Sequence, residues 1–313
     1  MEANQKDLRE ITEQMMIACC NLRAPTNVPV STFLKKLTHL NLNDKKLDSM
    51  SGIEVVAALK NLYLYNNKIR KIEGIESMKN LTHLYLENNL ISSISGLPAG
   101  CLRKLYLNEN DIEVVENVEC IHLTELHVAS QRLPPYQPLR FAPSVLDTIS
   151  STLLVLNVAN NNLDSVVDVL RLENLEKLNM AKNRISNIDM CLALMQLDNL
   201  KELDLRGNPA TKMPKYMENL IANSPQFLGK LDGKEVVENH RTMLKNLVAF
   251  KSRGLRSAQN YAHPSPQQEQ YEDMGMMGTA TGGYAYPQTD EGPQEEWGTP
   301  AGGAIDYQDG GFR

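Results

Sequence analysis

A pattern, LxxLxLxxNxI, recurs along this chain at a nearly fixed spacing and strongly limits what the chain can fold into. Successive copies begin 22, 22, 21, 21, 30, 22 and 25 residues apart. The eight copies start at Leu37, Leu59, Leu81, Leu102, Leu123, Leu153, Leu175 and Leu200. The asparagine position holds Asn67, Asn89, Asn110, Asn161, Asn183 and Asn208, with Lys45 in the first copy and Gln131 in the fifth. Such a period indicates units that stack, because one unit alone cannot bury its apolar face.

The pattern predicts an α/β repeat solenoid, a leucine-rich-repeat horseshoe with a parallel sheet on its concave side. The alternating leucines form a short strand with apolar side chains pointing inward. The asparagine turns the chain out of the strand, and its amide can satisfy backbone groups left unpaired at the bend. Apolar residues then recur at every third position, as in Ile69, Ile72 and Ile75, which predicts 3₁₀ turns on the convex side.

The two ends of the array need caps, since terminal repeats would otherwise expose the core. Residues 1–30 are predicted to form a helical N-terminal cap, residues 31–208 the repeats, and residues 209–254 a C-terminal cap with a helix near 234–251 that stops at Gly254. The N-terminal cap has apolar residues at helical spacing, namely Leu8, Ile11, Met15 and Cys19. The C-terminal cap is expected to close the core with Tyr216, Leu220, Ile221, Leu228 and Leu231.

An insertion at about 134–150 interrupts the array and accounts for its 30-residue step. Four prolines in "PPYQPLRFAPSVLDTIS" prevent a continuous ladder or helix, and a short helix is expected to begin near Pro143. Two interpretations remain open here. The insertion is either a longer connection on the convex side, which is slightly favoured, or a recognition element at the rim.

Residues 255–313 differ in composition from the rest of the chain. They hold 10 of the 18 glycines, and they carry 9 acids against 2 bases. Apolar periodicity disappears, so a disordered, acidic, Gly/Tyr-rich tail is predicted. The tail is either a spacer, the simpler interpretation, or a segment whose scattered aromatic residues contact a partner.

Composition argues against several classes of protein. Outside the tail, 29 acids nearly balance 30 bases, which gives no nucleic-acid footprint. A membrane span and a secretory signal are not expected, because long apolar runs are missing from the sequence. The five cysteines lack zinc-ligand spacing, and no catalytic or phosphate-binding motif occurs, so neither enzymatic activity nor a metal or cofactor is expected.

Aromatic residues occupy positions between the leucines that face solvent on the concave side of the predicted sheet. Neighbouring strands lie about 4.8 Å apart, so Tyr63, Tyr85, Tyr106 and His127 are predicted to form one aromatic ladder. The ladder either stiffens the sheet, by roughly 0.5–1 kcal/mol per pair, or binds a partner, and surface aromatics favour binding. The predicted partner-binding residues are Tyr63, Tyr65, Tyr85, Glu87, Tyr106, Asn108 and His127.

The repeats, the closing "LDLRGNP…PKY…LDGKEV" and the element "LTELHVASQRLP" resemble the short leucine-rich-repeat class of protein phosphatase 1 regulators, over roughly residues 34–250. The resemblance implies a non-enzymatic subunit that binds and modulates the phosphatase catalytic subunit. It also implies a cytoplasmic, cytoskeletal location at a microtubule-organising centre, centrosome or cilium base, with tubulin or centrosomal and ciliary proteins as further partners. A structural scaffold in that location, without phosphatase regulation, is the alternative.

Phosphatase 1 partners of this kind often carry a short docking motif, with a basic residue one or two places before Val or Ile, then any residue, then Phe or Trp. Val248 and Phe250 have the required mutual spacing, but Lys245 lies three places before Val248. They are therefore a weak docking candidate, and the concave face is expected to carry binding.

Overall fold

The computed structural model describes residues 9–20 and 27–261. Its strands are β1 (His39–Asn41), β2 (Asn61–Tyr63), β3 (His83–Tyr85), β4 (Lys104–Tyr106), β5 (Val114–Val115), β6 (Glu125–His127), β7 (Arg140–Phe141), β8 (Val155–Asn157), β9 (Lys177–Asn179), β10 (Glu202–Asp204), β11 (Lys230–Leu231) and β12 (Lys234–Glu235). Its helices are α1 (Glu13–Cys19), α2 (Val30–Leu34), α3 (Pro143–Ile149), α4 (Ile188–Ala193), α5 (Tyr216–Asn223) and α6 (Glu238–Tyr261).

One sheet contains ten of these strands, in the order β1-β2-β3-β4-β6-β8-β9-β10-β11-β12. Every pair is parallel except β11 with β12. Each of the eight repeats supplies one strand, and the register aligns their central leucines, as in Leu62, Leu84 and Leu105. These leucines are buried, while the side chains on either side of them are at least partly exposed. The predicted α/β repeat solenoid with a parallel sheet is confirmed.

The buried asparagines satisfy backbone groups at the bends as predicted, and they also connect neighbouring repeats. Asn89 donates from Nδ2 to the carbonyls of Leu64 and Leu86, both at 3.0 Å, and its Oδ1 accepts the Ile69 N–H at 3.0 Å. Gln131 serves the same purpose in the fifth repeat, because its amide bonds the Leu107 carbonyl at 2.9 Å and accepts the Ile112 N–H at 3.0 Å. The longer side chain therefore preserves the hydrogen bonds of the missing asparagine.

The prediction of 3₁₀ turns holds only in part. Such turns occur at Ile53–Val55, Val169–Arg171, Leu194–Gln196 and Pro209–Lys212. Residues 69–75 form irregular backbone with bends at Lys71 and Gly74 instead, although their three isoleucines are buried as expected. The seventh repeat uses the α-helix α4 at this position. A three-residue apolar period fixes which side chains are buried, but several backbone conformations satisfy it.

The N-terminal cap differs from the predicted helix. α1 begins only at Glu13, where the Thr12 hydroxyl accepts the Met15 N–H at 3.2 Å. Ile11 precedes the helix, and its N–H donates to the Ser51 carbonyl at 3.1 Å. Met16 is fully buried, whereas Met15 and Cys19 are only partly buried. The predicted apolar face of this helix is therefore too long, because backbone pairing with the first repeat holds Ile11 outside the helix. The fourth predicted residue of that face, Leu8, lies outside the described residues.

The C-terminal cap closes the core with the expected side chains. Tyr216, Leu220, Ile221, Leu228 and Leu231 are all buried. The strands β11 and β12 form a small antiparallel pair where the last helix was expected to begin. α6 then passes through Gly254 to Tyr261, so the predicted stop is wrong. A glycine inside a helix costs only about 1 kcal/mol relative to alanine, which the surrounding helix formers can offset. The rest of the predicted tail, residues 262–313, lies outside the described residues.

The insertion packs away from the ten-stranded sheet. Its strand β7 pairs in parallel with β5, which belongs to the convex segment of the fourth repeat. The helix α3 begins at Pro143 as predicted, and it buries Val145, Leu146 and Ile149. These contacts support the interpretation of the insertion as a longer convex connection.

Candidate functional site

The open face of the sheet, meaning the side that carries the first and third side chains of each strand, displays the predicted aromatic ladder. We call Tyr63, Tyr85, Tyr106 and His127 the tyrosine ladder. Successive ring centroids are 4.6, 4.6 and 4.4 Å apart, with interplanar angles of 13°, 12° and 16°. The structure thus brings together four rings that come from four consecutive repeats.

The sheet register produces this stack. Tyr63 is paired with Tyr85, Tyr85 with Tyr106, and Tyr106 with His127. The roughly 4.8 Å spacing of neighbouring strands is close to the distance at which aromatic rings stack. Each ring is partly exposed, so the ladder is a rigid aromatic surface.

At the Tyr106–His127 end of the ladder, Glu125 forms hydrogen bonds that involve charged groups. Glu125 contacts Lys104 Nζ at 2.6 Å and accepts the Tyr106 hydroxyl at 2.9 Å. Burial alone would raise the pKa of Glu125, but these two donors keep it below its usual value. Burial raises the pKa of Tyr106, and Glu125 adds to that shift. Burial lowers the pKa of His127, which favours the neutral imidazole.

A second row of predicted residues lies beside the ladder. Backbone hydrogen bonds continue the register through Tyr65, Glu87 and Asn108, with Asn66 N to Glu87 O and Asn88 N to Asn108 O both at 2.9 Å. Asn108 Oδ1 accepts the Ala129 N–H at 2.8 Å. This predicted binding residue therefore also stabilises the end of the next strand.

Glu87 has an unusual environment within this second row. Its Oε2 is buried and has no hydrogen-bond partner among the described residues. Burial raises the pKa of its carboxyl to about 7, its own backbone N–H opposes that rise, and the nearby Glu109 carboxylate adds to it. At neutral pH this carboxyl therefore exists in both protonation states.

A polar row at the end of the strands was not identified from the sequence. Asn88 Nδ2 donates to Asn66 Oδ1, and Asn66 Nδ2 donates to Asp44 Oδ1, each at 3.0 Å. Together with Glu109 these residues adopt φ between 51° and 59°, the left-handed region that asparagine and aspartate tolerate best. The sequence signal that could have identified this row is the polar residue that recurs immediately before the bend position in most repeats.

The remaining predicted site residues are not part of this surface. Val248 and Phe250 lie on α6, and both side chains are exposed. A helical backbone cannot add an extended strand to a sheet edge, so the docking motif is not in a competent conformation. Within residues 9–20 and 27–261 no cluster of His, Cys, Asp and Glu could hold a metal ion. No described helix is long and apolar enough to cross a membrane.

The second half of the open face is lined by paired polar groups. Asn157 and Asn179 use their side-chain oxygens to accept the N–H groups of the alanines two positions later. Lys177 pairs with Glu202 at 2.8 Å, and Arg206 pairs with Asp204 at 2.5 Å. The aromatic surface is thus confined to the first half of the array.

Comparisons with known proteins agree with this architecture. A family model described as leucine-rich repeats in two copies matches residues 58–99 and 173–216. A leucine-rich-repeat protein from Leptospira interrogans is 25% identical over 65% of this chain, with a TM-score of 0.51. The match spans about half of that protein, 51% of its length. Internalin C2 from Listeria monocytogenes is 20% identical, over 63% of this chain and 83% of its own, with a TM-score of 0.47.

The repeat, the parallel sheet and the family-model match show that the chain contains leucine-rich repeats. Leucine-rich-repeat arrays are protein-interaction domains that present a broad surface to a partner. The fold therefore fits a non-enzymatic interaction role.

Proposed function

We propose that this protein is a non-enzymatic regulatory subunit that binds the catalytic subunit of protein phosphatase 1 through the tyrosine ladder. The observation that carries the proposal is the continuous stack of four rings on the open face. Tyrosines are enriched at binding hot spots because each offers a large rigid area with a polar tip.

The stack lowers the cost of binding. Each ring is held by its neighbours at 4.4 to 4.6 Å, so little side-chain freedom remains to be lost when a partner arrives. The opposite side of each strand is already used for the core, so the ladder is available to a partner without any repacking. Stiffening the sheet and binding a partner are therefore compatible.

The choice of partner rests on sequence resemblance. The segments "NLTHLYLENNLIS" and "LTELHVASQRLP" are similar to those of the testis leucine-rich repeat protein, regulatory subunit 42 of protein phosphatase 1. That resemblance also motivates a location at the centrosome or cilium base, where the subunit would target the phosphatase. Because Val248 and Phe250 are helical, the open face is the better candidate for the contact.

Isothermal titration calorimetry of the full chain against the phosphatase catalytic subunit tests this proposal. The test variant carries Tyr63→Ala, Tyr85→Ala and Tyr106→Ala. The matched control is Tyr136→Ala, which removes a tyrosine that is 76% exposed on the insertion. Circular dichroism establishes that each variant is folded.

We expect micromolar or tighter binding that weakens by more than about 3 kcal/mol in the ladder variant and stays unchanged in the control. Loss of binding in the Tyr136 variant alone would instead assign recognition to the rim of the insertion. No binding by the folded wild-type protein would refute phosphatase regulation and favour the scaffold role at the cytoskeleton.

A further inference from the structure

Glu87 lacks a cation, unlike three other acidic residues of the open face. Glu125 pairs with Lys104, Glu202 with Lys177, and Asp204 with Arg206. No Lys, Arg or His nitrogen of the described residues lies within 4.0 Å of the Glu87 carboxyl. Its Oε2 is also without a hydrogen bond. A buried acceptor with no partner is costly, so this position is incomplete in the isolated chain.

The surroundings of Glu87 explain why no cation compensates it. Its neighbours on the adjoining strands contribute aromatic, amide and acidic groups but no basic group. Tyr85, Tyr106 and Glu109 interact electrostatically with the carboxyl. Backbone hydrogen bonds place Tyr65 and Asn108 at the matching positions of the two neighbouring repeats. Asp44, at the end of the polar row, adds a further negative charge on the same edge. An unpaired carboxylate beside the edges and hydroxyls of tyrosine rings can accept charge-assisted hydrogen bonds from an arginine or lysine side chain.

We propose that Glu87, flanked by Tyr65 and Tyr85, receives an arginine or lysine side chain of the protein partner. The inference rests on the proposed function, because it takes the open face to be the binding surface. The acidic edge formed by Asp44 and Glu109 would steer such a cation toward the site. Apolar contact with the tyrosine ladder then supplies area, and Glu87 supplies charge recognition.

Binding at this site would be linked to pH. A cation pairs with the ionised carboxylate, whereas the protonated form offers it no charge. Because the pKa of Glu87 is about 7 in the free protein, raising the pH should strengthen binding. Between about pH 6 and pH 8 the ionised fraction rises about tenfold, and the affinity should rise by up to that factor, which is reached if the protonated form does not bind.

The first experiment compares wild type, Glu87→Gln and Glu202→Gln as full chains binding the phosphatase catalytic subunit at both pH values. Glu202→Gln is the matched control, because it makes the same substitution on the same face, away from the ladder. We expect Glu87→Gln to weaken binding at least about tenfold at the higher pH and to abolish the pH dependence carried by this group. Histidines, including His127, are present in all three proteins, so their contribution cancels.

Equal affinity and equal pH dependence in wild type and Glu87→Gln would overturn the cation site while leaving the phosphatase interaction intact. If wild type does not bind the phosphatase, the proposed function fails and a second probe decides the inference. Methylguanidinium chloride, with sodium chloride at equal ionic strength as control, is titrated into the full chain carrying ¹³C-labelled glutamate. A lowered pKa of Glu87 in methylguanidinium alone would support the site, and an unchanged pKa would overturn it.

Discussion

Replacing Asn110 by alanine should destabilise the array more than its small change in volume suggests. The side chain is fully buried and forms three hydrogen bonds of 3.1 Å or less. Its Oδ1 accepts the Ile91 N–H at 3.1 Å, and its Nδ2 donates to the carbonyls of Leu86 at 2.9 Å and Leu107 at 3.0 Å. The substitution removes all of these contacts at once.

The three groups that lose a hydrogen bond are not equivalent, and this difference sets the expected loss in the free energy of unfolding. The Leu86 carbonyl keeps a bond from Asn89, and the Leu107 carbonyl keeps one from Gln131. Among the described residues the Ile91 N–H has no second acceptor, so it becomes a buried unsatisfied donor that costs about 1–3 kcal/mol. Each carbonyl that loses one of two donors adds roughly 0.5–1 kcal/mol. The free energy of unfolding should therefore fall by about 3 kcal/mol.

Urea denaturation followed by circular dichroism measures this change, with Asn199→Ala as control. Asn199 is exposed and makes a single bond, to the Glu173 carbonyl at 3.2 Å, so its loss should cost less than about 0.5 kcal/mol. Asn110→Asp distinguishes the acceptor role of the side chain from its donor role, because it keeps the Oδ1 acceptor but places a carboxylate against the two carbonyls. This variant should be at least as destabilising as the alanine variant near neutral pH. A loss below about 1 kcal/mol in Asn110→Ala would refute the reasoning.

Three further predictions concern other parts of the molecule. Folding raises the pKa of Glu87 to about 7, so the stability that its protonated carboxyl contributes is present below the unfolded pKa and is lost as pH rises through 7. Replacing Glu87 by glutamine should therefore stabilise the protein by about 1–2 kcal/mol at alkaline pH and by little near pH 5. Thermal unfolding at the two pH values measures this difference. Arg241→Met should speed hydrogen exchange in α6, because buried Arg241 donates to the carbonyls of Gln226 and Leu228 and also pairs with Glu238; unchanged exchange would contradict this anchoring role. Gly52→Ala should lower the melting temperature through its φ of 93° and a clash with the Ile11 carbonyl, whereas the open position of Gly100 should accept alanine with no comparable loss.

Much of the fold could be predicted because the repeat is local and periodic. The spacing of leucines fixes the strands, and the bend asparagines fix where each strand ends. The tyrosine ladder followed from the same logic, since equal positions in parallel repeats must lie side by side. Even the Gln131 exception kept its place in the register, because its amide reaches the same backbone groups.

Two details of the caps could not be predicted from local patterns in the sequence. Met16 rather than Met15 is buried, and Ile11 pairs with Ser51 of the first repeat instead of entering the helix. α6 continues beyond Gly254 although a local helix-stop signal was present. The first outcome involves a contact between segments that are distant in sequence. The second reflects a local balance, because the helix formers around Gly254 can offset the cost of the glycine.

The candidate site also has features that the sequence predicts and features that only the tertiary structure decides. The sequence by itself determined which residues face solvent on the sheet and that four of them would stack, because a fixed period and a strand alternation are properties of the chain. Only the tertiary structure decided that Lys104 compensates Glu125 while no cation of the described part of the chain pairs with Glu87. Charge pairing and burial depend on which side chains neighbouring repeats bring within a few ångströms, and this is set by packing across repeats.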